Sequence, residues 1–239
     1  FIRQASKRND NIYAGIEKTK KKDPEYDDKK IIIIGSGSGF FISDQGHIVS
    51  NDHVVGVCKK VKAYEDGEEV YLDILATDSV NDIGLVKGKF QNIKYLNIKT
   101  DGAELGEDII AFGYPLSQTL SDSVKLTKGI VSSLTGLGNN ISQIQIDAAI
   151  QPGNSGGPIY DENGNIVGVV VSQLNKMKFA KATGSMPENV NFGIKASTVR
   201  QFLNSAGLPT KWSKRSKRMS TKQLAKIAKN QTVMVVCHP

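Results

Sequence analysis

From Ile31 onward, the chain is built from short runs of β-branched and aromatic residues, which recur at intervals of about ten residues. Turn-forming residues such as Asp66-Gly67 and Asp161-Glu162-Asn163-Gly164 separate the runs. Helical periodicity is absent until Ser197–Leu203, where apolar residues recur after a Ser-Thr start that can cap a helix. Many short strands followed by a late helix predict an all-β fold of barrels or sandwiches.

The two ends of the chain differ in charge from its middle. The formal net charge is +7. Residues 1–30 form a polar, Lys-rich segment with nine basic and six acidic groups, and residues 208–239 carry eight basic groups and no acidic one. We interpret the basic ends as solvated segments and do not expect nucleic-acid binding, while contact of the tail with an anionic surface stays open. No apolar run reaches about 18 residues, so no transmembrane helix is expected.

The C-terminal segment has its own internal pattern. Residues 208–239 begin with a basic linker, and Ser220 or Thr221 can then cap a short helix that extends through Asn230. The strand-like run Thr232–Val236 follows, which favours an edge strand packed on a sheet. We therefore predict a main domain over residues 31–207 and a short basic extension after it.

Three separate segments carry residues suited to acyl-transfer chemistry. His53 follows the strand-like run Ile48–Ser50, and an imidazole is a good general base near neutral pH. Ser155 lies between glycines, which permit a tight turn that exposes its hydroxyl and nearby N–H groups. Asp82 opens the apolar run Ile83–Val86, where a carboxylate can orient an imidazole.

Each of these residues alone fits a structural role, but their order favours a catalytic one. His53, Asp82 and Ser155 follow one another in the order of chymotrypsin, which differs from the order in subtilisin and in the α/β-hydrolases. The intervals of 29 and 73 residues place the first two in one barrel and the serine in the next. We therefore predict a Ser-His-Asp triad.

Several segments resemble the protease domain of the HtrA/Deg family. The resemblance covers about residues 31–206 and is most specific around the histidine and the serine. The segments that carry it are Gly37–Ile42, Gly46–Val55, Asn81–Leu85 and Asp147–Pro158, together with Val190–Ile194, which resembles the last strand before the final helix of that domain.

The resemblance implies a fold, an activity and a setting. The implied fold is two six-stranded antiparallel chymotrypsin-like β-barrels, over about residues 31–100 and 101–195, with a helix at 197–206. The implied activity is that of a serine endopeptidase acting on unfolded or flexible proteins, with the N–H groups of Gly153 and Ser155 as the oxyanion hole. The resemblance also implies an extracytoplasmic protein, which is either located in the bacterial periplasm or envelope or secreted. The oligomeric state is left open.

Two features depart from related enzymes. Only 32 residues follow Gly207, too few for the PDZ domains that HtrA proteins usually carry, so we expect a protease domain without a PDZ domain. Asn154 stands where secreted trypsin-like enzymes have an aspartate that pairs with a newly cut N-terminus. A neutral amide cannot make that ion pair, so activation by N-terminal cleavage is not expected.

Ala149 suggests the specificity. It stands six residues before Ser155, where trypsin has a buried aspartate, so a Lys or Arg side chain in that pocket would leave its charge unpaired. We expect small or medium apolar residues before the cut bond. The other candidate pocket or cleft residues are Ile150, Val171, Ser172 and Phe192.

Cys58 and Cys237 are the only cysteines. They could be two free thiols or one disulfide, and the extracytoplasmic setting implied by the resemblance favours the disulfide. Such a bond would tie the terminal strand-like run to the segment that follows His53.

Other kinds of chemistry find little support in the sequence. His, Cys and Asp residues do not cluster as in a metal site, and the Gly-rich segment 35–39 lacks the Lys-Ser/Thr of a phosphate loop. We therefore expect neither a metal nor a cofactor. The competing hypothesis is a chaperone or binding module that uses a protease fold with an idle triad.

Overall fold

The computed structural model describes residues 35–239 except 66–67, 92, 94, 96, 100, 117–122, 172–183, 185–187 and 209–211. Contacts divide the chain into two units, Phe1–Ile32 and Ile33–Pro239, and all the described residues belong to the second. The predicted segment 1–30 and the pocket candidate Ser172 therefore lie outside the described residues.

Six strands close the first barrel in the order β1-β14-β3-β4-β5-β2, with every pairing antiparallel. Five of them come from the N-terminal half of the chain and one from its C-terminal end. They are β1 (Gly35–Phe41), β2 (His47–Ser50), β3 (Lys60–Glu65), β4 (Glu68–Asp78), β5 (Ile83–Lys87) and β14 (Thr232–His238).

A second antiparallel barrel closes through the pairing of β10 with β11. Its strands are β7 (Asp108–Gly113), β8 (Lys125–Ser133), β9 (Gln143–Ile146), β10 (Pro158–Asp161), β11 (Ile166–Val171) and β12 (Asn191–Lys195). Two short strands, β6 (Ile98–Lys99) and β13 (Trp212–Ser213), extend its sheet in parallel beyond β11. The prediction of two six-stranded antiparallel barrels is confirmed.

Short helices connect and flank the barrels. Helix α1 (Asp52–Val55) follows β2, α2 (Ala196–Ser205) follows β12, and α3 (Thr221–Gln231) precedes β14. A capping box between Ser220 and Gln223 begins α3, and Leu137–Asn139 form a single 3₁₀ turn. In the described part of the chain, no helix is both long and apolar enough to cross a membrane.

Three apolar clusters follow from the alternation of side chains along the strands. Phe41 packs inside the first barrel, while its neighbour Phe40 points the other way into a cluster shared by both barrels, α2 and α3. Phe112 and Tyr160 from the second barrel meet in that shared cluster, with their ring centroids 5.6 Å apart. The two barrels therefore have separate interiors and one common interface.

The C-terminal segment differs from the prediction, which set residues 208–239 apart from the protease domain. Strand β14 is buried along its whole length and pairs with β1 on one side and β3 on the other, so it is not an edge strand. The side chain of Gln231 donates to the carbonyl of Phe41 at 2.8 Å and accepts from the Tyr160 hydroxyl at 2.8 Å. Closing the barrel satisfies the backbone groups that an open edge would expose.

A disulfide joins Cys58 to Cys237. It connects the segment that follows α1 to β14, next to a backbone hydrogen bond of 3.1 Å from Lys59 to His238. The strand that closes the first barrel is therefore attached to it both by hydrogen bonds and covalently.

We predict that replacing both cysteines with alanine lowers the free energy of unfolding by about 3–5 kcal/mol, because the crosslink closes a long loop in the unfolded chain. Cys58 and Cys237 are 179 residues apart in the sequence. Denaturant unfolding of the wild-type and double-alanine proteins measures the difference. Two thiols that react with an alkylating agent in the native, non-reduced protein would contradict the crosslink.

Candidate active site

The loop that carries Ser155 depends on glycine. Gly153 and Gly156 have φ angles of 98° and 86°, in the left-handed region that disfavours other residues. A Cβ atom on Gly156 would lie 2.1 Å from the carbonyl oxygen of Ser38, and one on Gly157 would lie 2.0 Å from that of Phe112. The Gly-rich sequence around the serine is therefore required by a close approach to strands of both barrels.

His53 lies on α1, directly after β2, and contacts Asp82. Its Nδ1 atom is 2.8 Å from Oδ2 and 2.9 Å from Oδ1 of the carboxylate. The backbone N–H of His53 also donates to Oδ1 at 2.9 Å. The carboxylate therefore fixes both the main chain and the ring of the histidine.

The backbone of Asp82 is itself held in an unusual conformation. Its φ angle is 58°, which is uncommon for a residue with a side chain, and only 8% of the residue is exposed. The side chain of Asn51, buried beside it, donates to the Asp82 carbonyl at 2.8 Å. Asn51 thus helps hold the aspartate in the turn that points its carboxylate toward His53.

This contact determines which ring nitrogen of His53 carries the proton. An ionised carboxylate only accepts hydrogen bonds, so Nδ1 of a neutral ring donates to Asp82 and leaves the lone pair on Nε2. The ring is 38% exposed, which leaves it open to the cleft. The arrangement suits proton transfer at Nε2.

Ser155 and His53 line the same cleft, which has a volume of about 240 Å³. Ser155 comes from the second barrel and His53 from the first, so the cleft lies between the barrels. The other residues that line it are Gly35, Ser36, Val54, Val57, Pro152, Gly153 and Cys237.

Ser38, on β1, bonds to the loop of Ser155 through both its main chain and its side chain. Its N–H donates to the carbonyl of Ser155 at 2.7 Å, and its hydroxyl donates to the carbonyl of Gly153 at 2.7 Å. The same hydroxyl accepts from the N–H of Tyr114 at 2.9 Å, and the Ser38 carbonyl accepts from the Ser50 hydroxyl at 2.7 Å. One fully buried serine therefore links the serine loop to both barrels.

The peptide between Pro152 and Gly153 is also anchored. The carbonyl of Pro152 accepts from the N–H of Leu116 at 3.0 Å. In a trans peptide the N–H points opposite to the carbonyl, so this bond fixes the direction of the Gly153 N–H. Both carbonyls around Gly153 are thus held by the protein.

The residues predicted to bind the side chain before the cut bond, which is the acyl side of the substrate, lie in different environments. Ala149 is exposed, and Phe192 is buried opposite Val171 in the pairing of β11 with β12. Ile150 packs inside the second barrel, and Val171 belongs to the cluster shared by the two barrels.

Sequence reasoning missed three residues that support the site. Ser38 and Asn51 hold the serine loop and the aspartate, and Asn191 donates to the carbonyl of Ala148 at 2.8 Å, just before the loop. The sequence signal for Asn51 was its position two residues before His53, directly after a strand, whereas Ser38 and Asn191 are polar residues within strands with no such signal.

The other two histidines lie outside the cleft. Nδ1 of His47 is 2.7 Å from the Ser43 hydroxyl, and burial, together with the nearby Lys87 charge, lowers the pKa of His47 below its usual value. His238 is buried at the end of β14. Neither residue lines the cleft that contains Ser155.

Comparisons of sequence place the chain among known peptidases. The family model of the trypsin-like peptidase domain matches residues 37–169. An uncharacterized protein of Sinorhizobium fredii, y4bJ, is 38% identical over 203 residues, which make up 84% of this chain and 32% of that protein. A probable periplasmic serine endoprotease, DegP-like, of Bartonella henselae is 37% identical over 71% of this chain and 33% of its own length.

A serine protease Do-like HtrA of Bacillus subtilis is 36% identical over 70% of this chain and 38% of its own length. The chain thus spans about a third of the length of these curated relatives.

Solved structures agree on the fold. The serine endoprotease from Yersinia pestis superposes with a TM-score of 0.61 over 74% of this chain and 60% of its own, at 24% identity. The HtrA-type protease AlgW, solved with a decapeptide, gives a TM-score of 0.59 over 71% of this chain and 51% of its own, at 27% identity. The chain therefore belongs to the trypsin-like peptidase family, with HtrA-type serine proteases among its relatives.

Proposed function

We propose that the chain is a serine endopeptidase in which Ser155 is the nucleophile, His53 the general base and Asp82 the residue that orients the histidine. The observation that carries this proposal is that the Asp82 carboxylate accepts hydrogen bonds from both the ring and the main chain of His53. His53 lines a cleft that Ser155 also lines. Family membership supports the same reaction class.

In this mechanism, the Ser155 hydroxyl attacks the carbonyl carbon of the substrate while its proton passes to Nε2 of His53. The imidazolium then gives that proton to the nitrogen of the departing chain, and the C–N bond breaks to leave an acyl-enzyme. Water, deprotonated by His53, attacks the ester and releases the acid and the free serine. Asp82 stays ionised throughout and stabilises the imidazolium.

The N–H groups of Gly153 and Ser155 are proposed to bind the oxyanion of the tetrahedral intermediate. Preorganised donors of this kind stabilise charge as it develops in the transition state. The hydrogen bonds to the Pro152 and Gly153 carbonyls support this assignment, because they restrain the peptide groups on both sides of Gly153.

Substrates are proposed to be unfolded or flexible proteins with a small or medium apolar residue before the cut bond. The absence of an acid at Ala149 motivates this specificity. One relative is named as a probable periplasmic endoprotease, and the disulfide suits an oxidising compartment. We therefore propose an extracytoplasmic setting and a role in protein quality control or processing.

The second candidate function is binding without turnover on the same fold, because a fold does not determine function. A fluorophosphonate probe separates the two, since it reacts only with an activated serine. Labelling of the wild-type protein that is lost in Ser155→Ala supports the peptidase, and absence of labelling in folded protein supports the binding module.

We predict that Ser155→Ala and His53→Ala each lower kcat by about 10⁴–10⁶-fold with little change in stability, because the members of a triad act as one unit. Hydrolysis of an unfolded protein, followed by the release of new amino termini, measures the loss. Retention of most of the turnover in purified Ser155→Ala would contradict the assignment.

We predict that cleavage favours Val, Ala or Leu over Lys or Arg before the cut bond by at least about tenfold in kcat/KM. Mass-spectrometric mapping of the cut sites in a denatured protein mixture gives the preference. Cuts that follow mainly Lys or Arg would show that the argument from Ala149 is wrong.

We predict that Ser38→Ala lowers kcat more than Ser50→Ala does, because only the first change releases the Gly153 carbonyl. Both serines are fully buried and each donates a hydroxyl to a backbone carbonyl, so both variants should lose about 1–3 kcal/mol of stability. Steady-state kinetics on one peptide, with kcat and KM reported separately, tests the difference. Equal kcat values in two equally destabilised variants would argue against a role for Ser38 in positioning the oxyanion hole.

A further inference from the structure

The cleft beside Ser155 has a wall that comes from the first barrel and from the C-terminal strand. Gly35 and Cys237 are paired across β1 and β14, and both line the cleft. Val54 and Val57 lie on and just after the helix that carries His53, and they also line the cleft. Pro152 and Gly153 complete the lining from the serine loop.

This lining combines the apolar side chains of Val54, Val57 and Pro152 with few polar groups. Apart from His53, none of the described residues around the cleft carries a charge. Val57 is 77% exposed, whereas Val54 is buried. A charged side chain entering here would lose hydration without gaining a partner, whereas an apolar one would cover Val57.

The position of the wall relative to His53 shows which part of a substrate it would meet. The imidazole must reach the nitrogen of the departing chain to protonate it, so the departing chain lies on the first-barrel side. The acyl-side candidates Ala149, Val171 and Phe192 all belong to the second barrel or the loop that precedes Ser155. The two sets of residues therefore come from different barrels.

We propose that Val54, Val57 and the Cys58–Cys237 bridge form the subsite for the residue that follows the cut bond, and that this subsite selects an apolar side chain. This inference rests on the proposed peptidase activity and adds its leaving-group specificity. Strand β14 has a direct part in it, because Cys237 lines the cleft and is held there by the bond to Cys58 and by pairing with β1. The strand that closes the barrel is thus also a wall of the binding site.

Acyl transfer tests this subsite independently of the acyl side. An acyl-enzyme formed from one ester substrate is partitioned between water and an added amino-acid amide, whose amine attacks the ester carbon, passes its proton to His53 and releases Ser155. The amide must occupy the leaving-group subsite to react. We expect leucine amide to capture the acyl group about tenfold better than lysine amide or aspartate amide does.

The variant Val57→Asp should shift this ratio toward lysine amide by about tenfold, because it places a carboxylate in the wall. Ile141→Asp is the matched control, since Ile141 is equally exposed at 77% but lies outside the cleft, and it should leave the ratio as in the wild type. A ratio that Val57→Asp does not change, in an enzyme that forms the acyl intermediate, would overturn the subsite. Failure of the wild type to react with the ester or with a fluorophosphonate would overturn the proposed function, and with it this inference.

Discussion

The hydrogen bonds of Ser38 are the interaction on which both halves of the site depend. Its N–H and hydroxyl bind the carbonyls of Ser155 and Gly153, while its carbonyl receives the hydroxyl of Ser50, three residues before His53. Ser38, a single buried residue, is therefore hydrogen-bonded both to the loop that carries the serine and to the strand that leads to the histidine. The apolar packing between the barrels has no preferred direction, whereas hydrogen bonds do, and those of Ser38 end on the serine loop itself. They therefore define the relative position of the two reactive groups more narrowly than packing alone.

Ser38 in turn depends on the C-terminal strand. It lies on β1, opposite Met234 of β14, and β1 has β14 on one side and β2 on the other. Without β14, β1 would become an exposed edge with a row of unpaired backbone groups. The last residues of the chain therefore support the geometry of a site whose reactive residues lie far from them in sequence, and the Cys58 bridge makes that support covalent.

The sequence predicted the parts of the structure that follow local patterns. Alternation and turn residues indicated the strands, and the spacing of His53, Asp82 and Ser155 indicated residues that the fold brings to one cleft or into direct contact. It could not locate β14, because an apolar run such as Thr232–Val236 fits any open edge and only the closed barrel shows which edge lacked a strand. For a related reason, the sequence could not show that Ile150 packs inside the second barrel, since only the three-dimensional path of the chain reveals that direction.

The pairing of Asp82 with His53 shows why the site needs such a rigid frame. Asp82 combines a mostly buried carboxylate with a left-handed backbone, and each feature alone would be unfavourable. The N–H and ring of His53 compensate for the lost hydration, and Asn51 holds the strained turn by its carbonyl. A positive charge that develops on the imidazole then forms beside a carboxylate that is already oriented, so little reorganisation is needed when the proton moves. The free energy gained by folding the closed barrel offsets the unfavourable conformation of Asp82. A strand from the far end of the chain therefore matters to the chemistry.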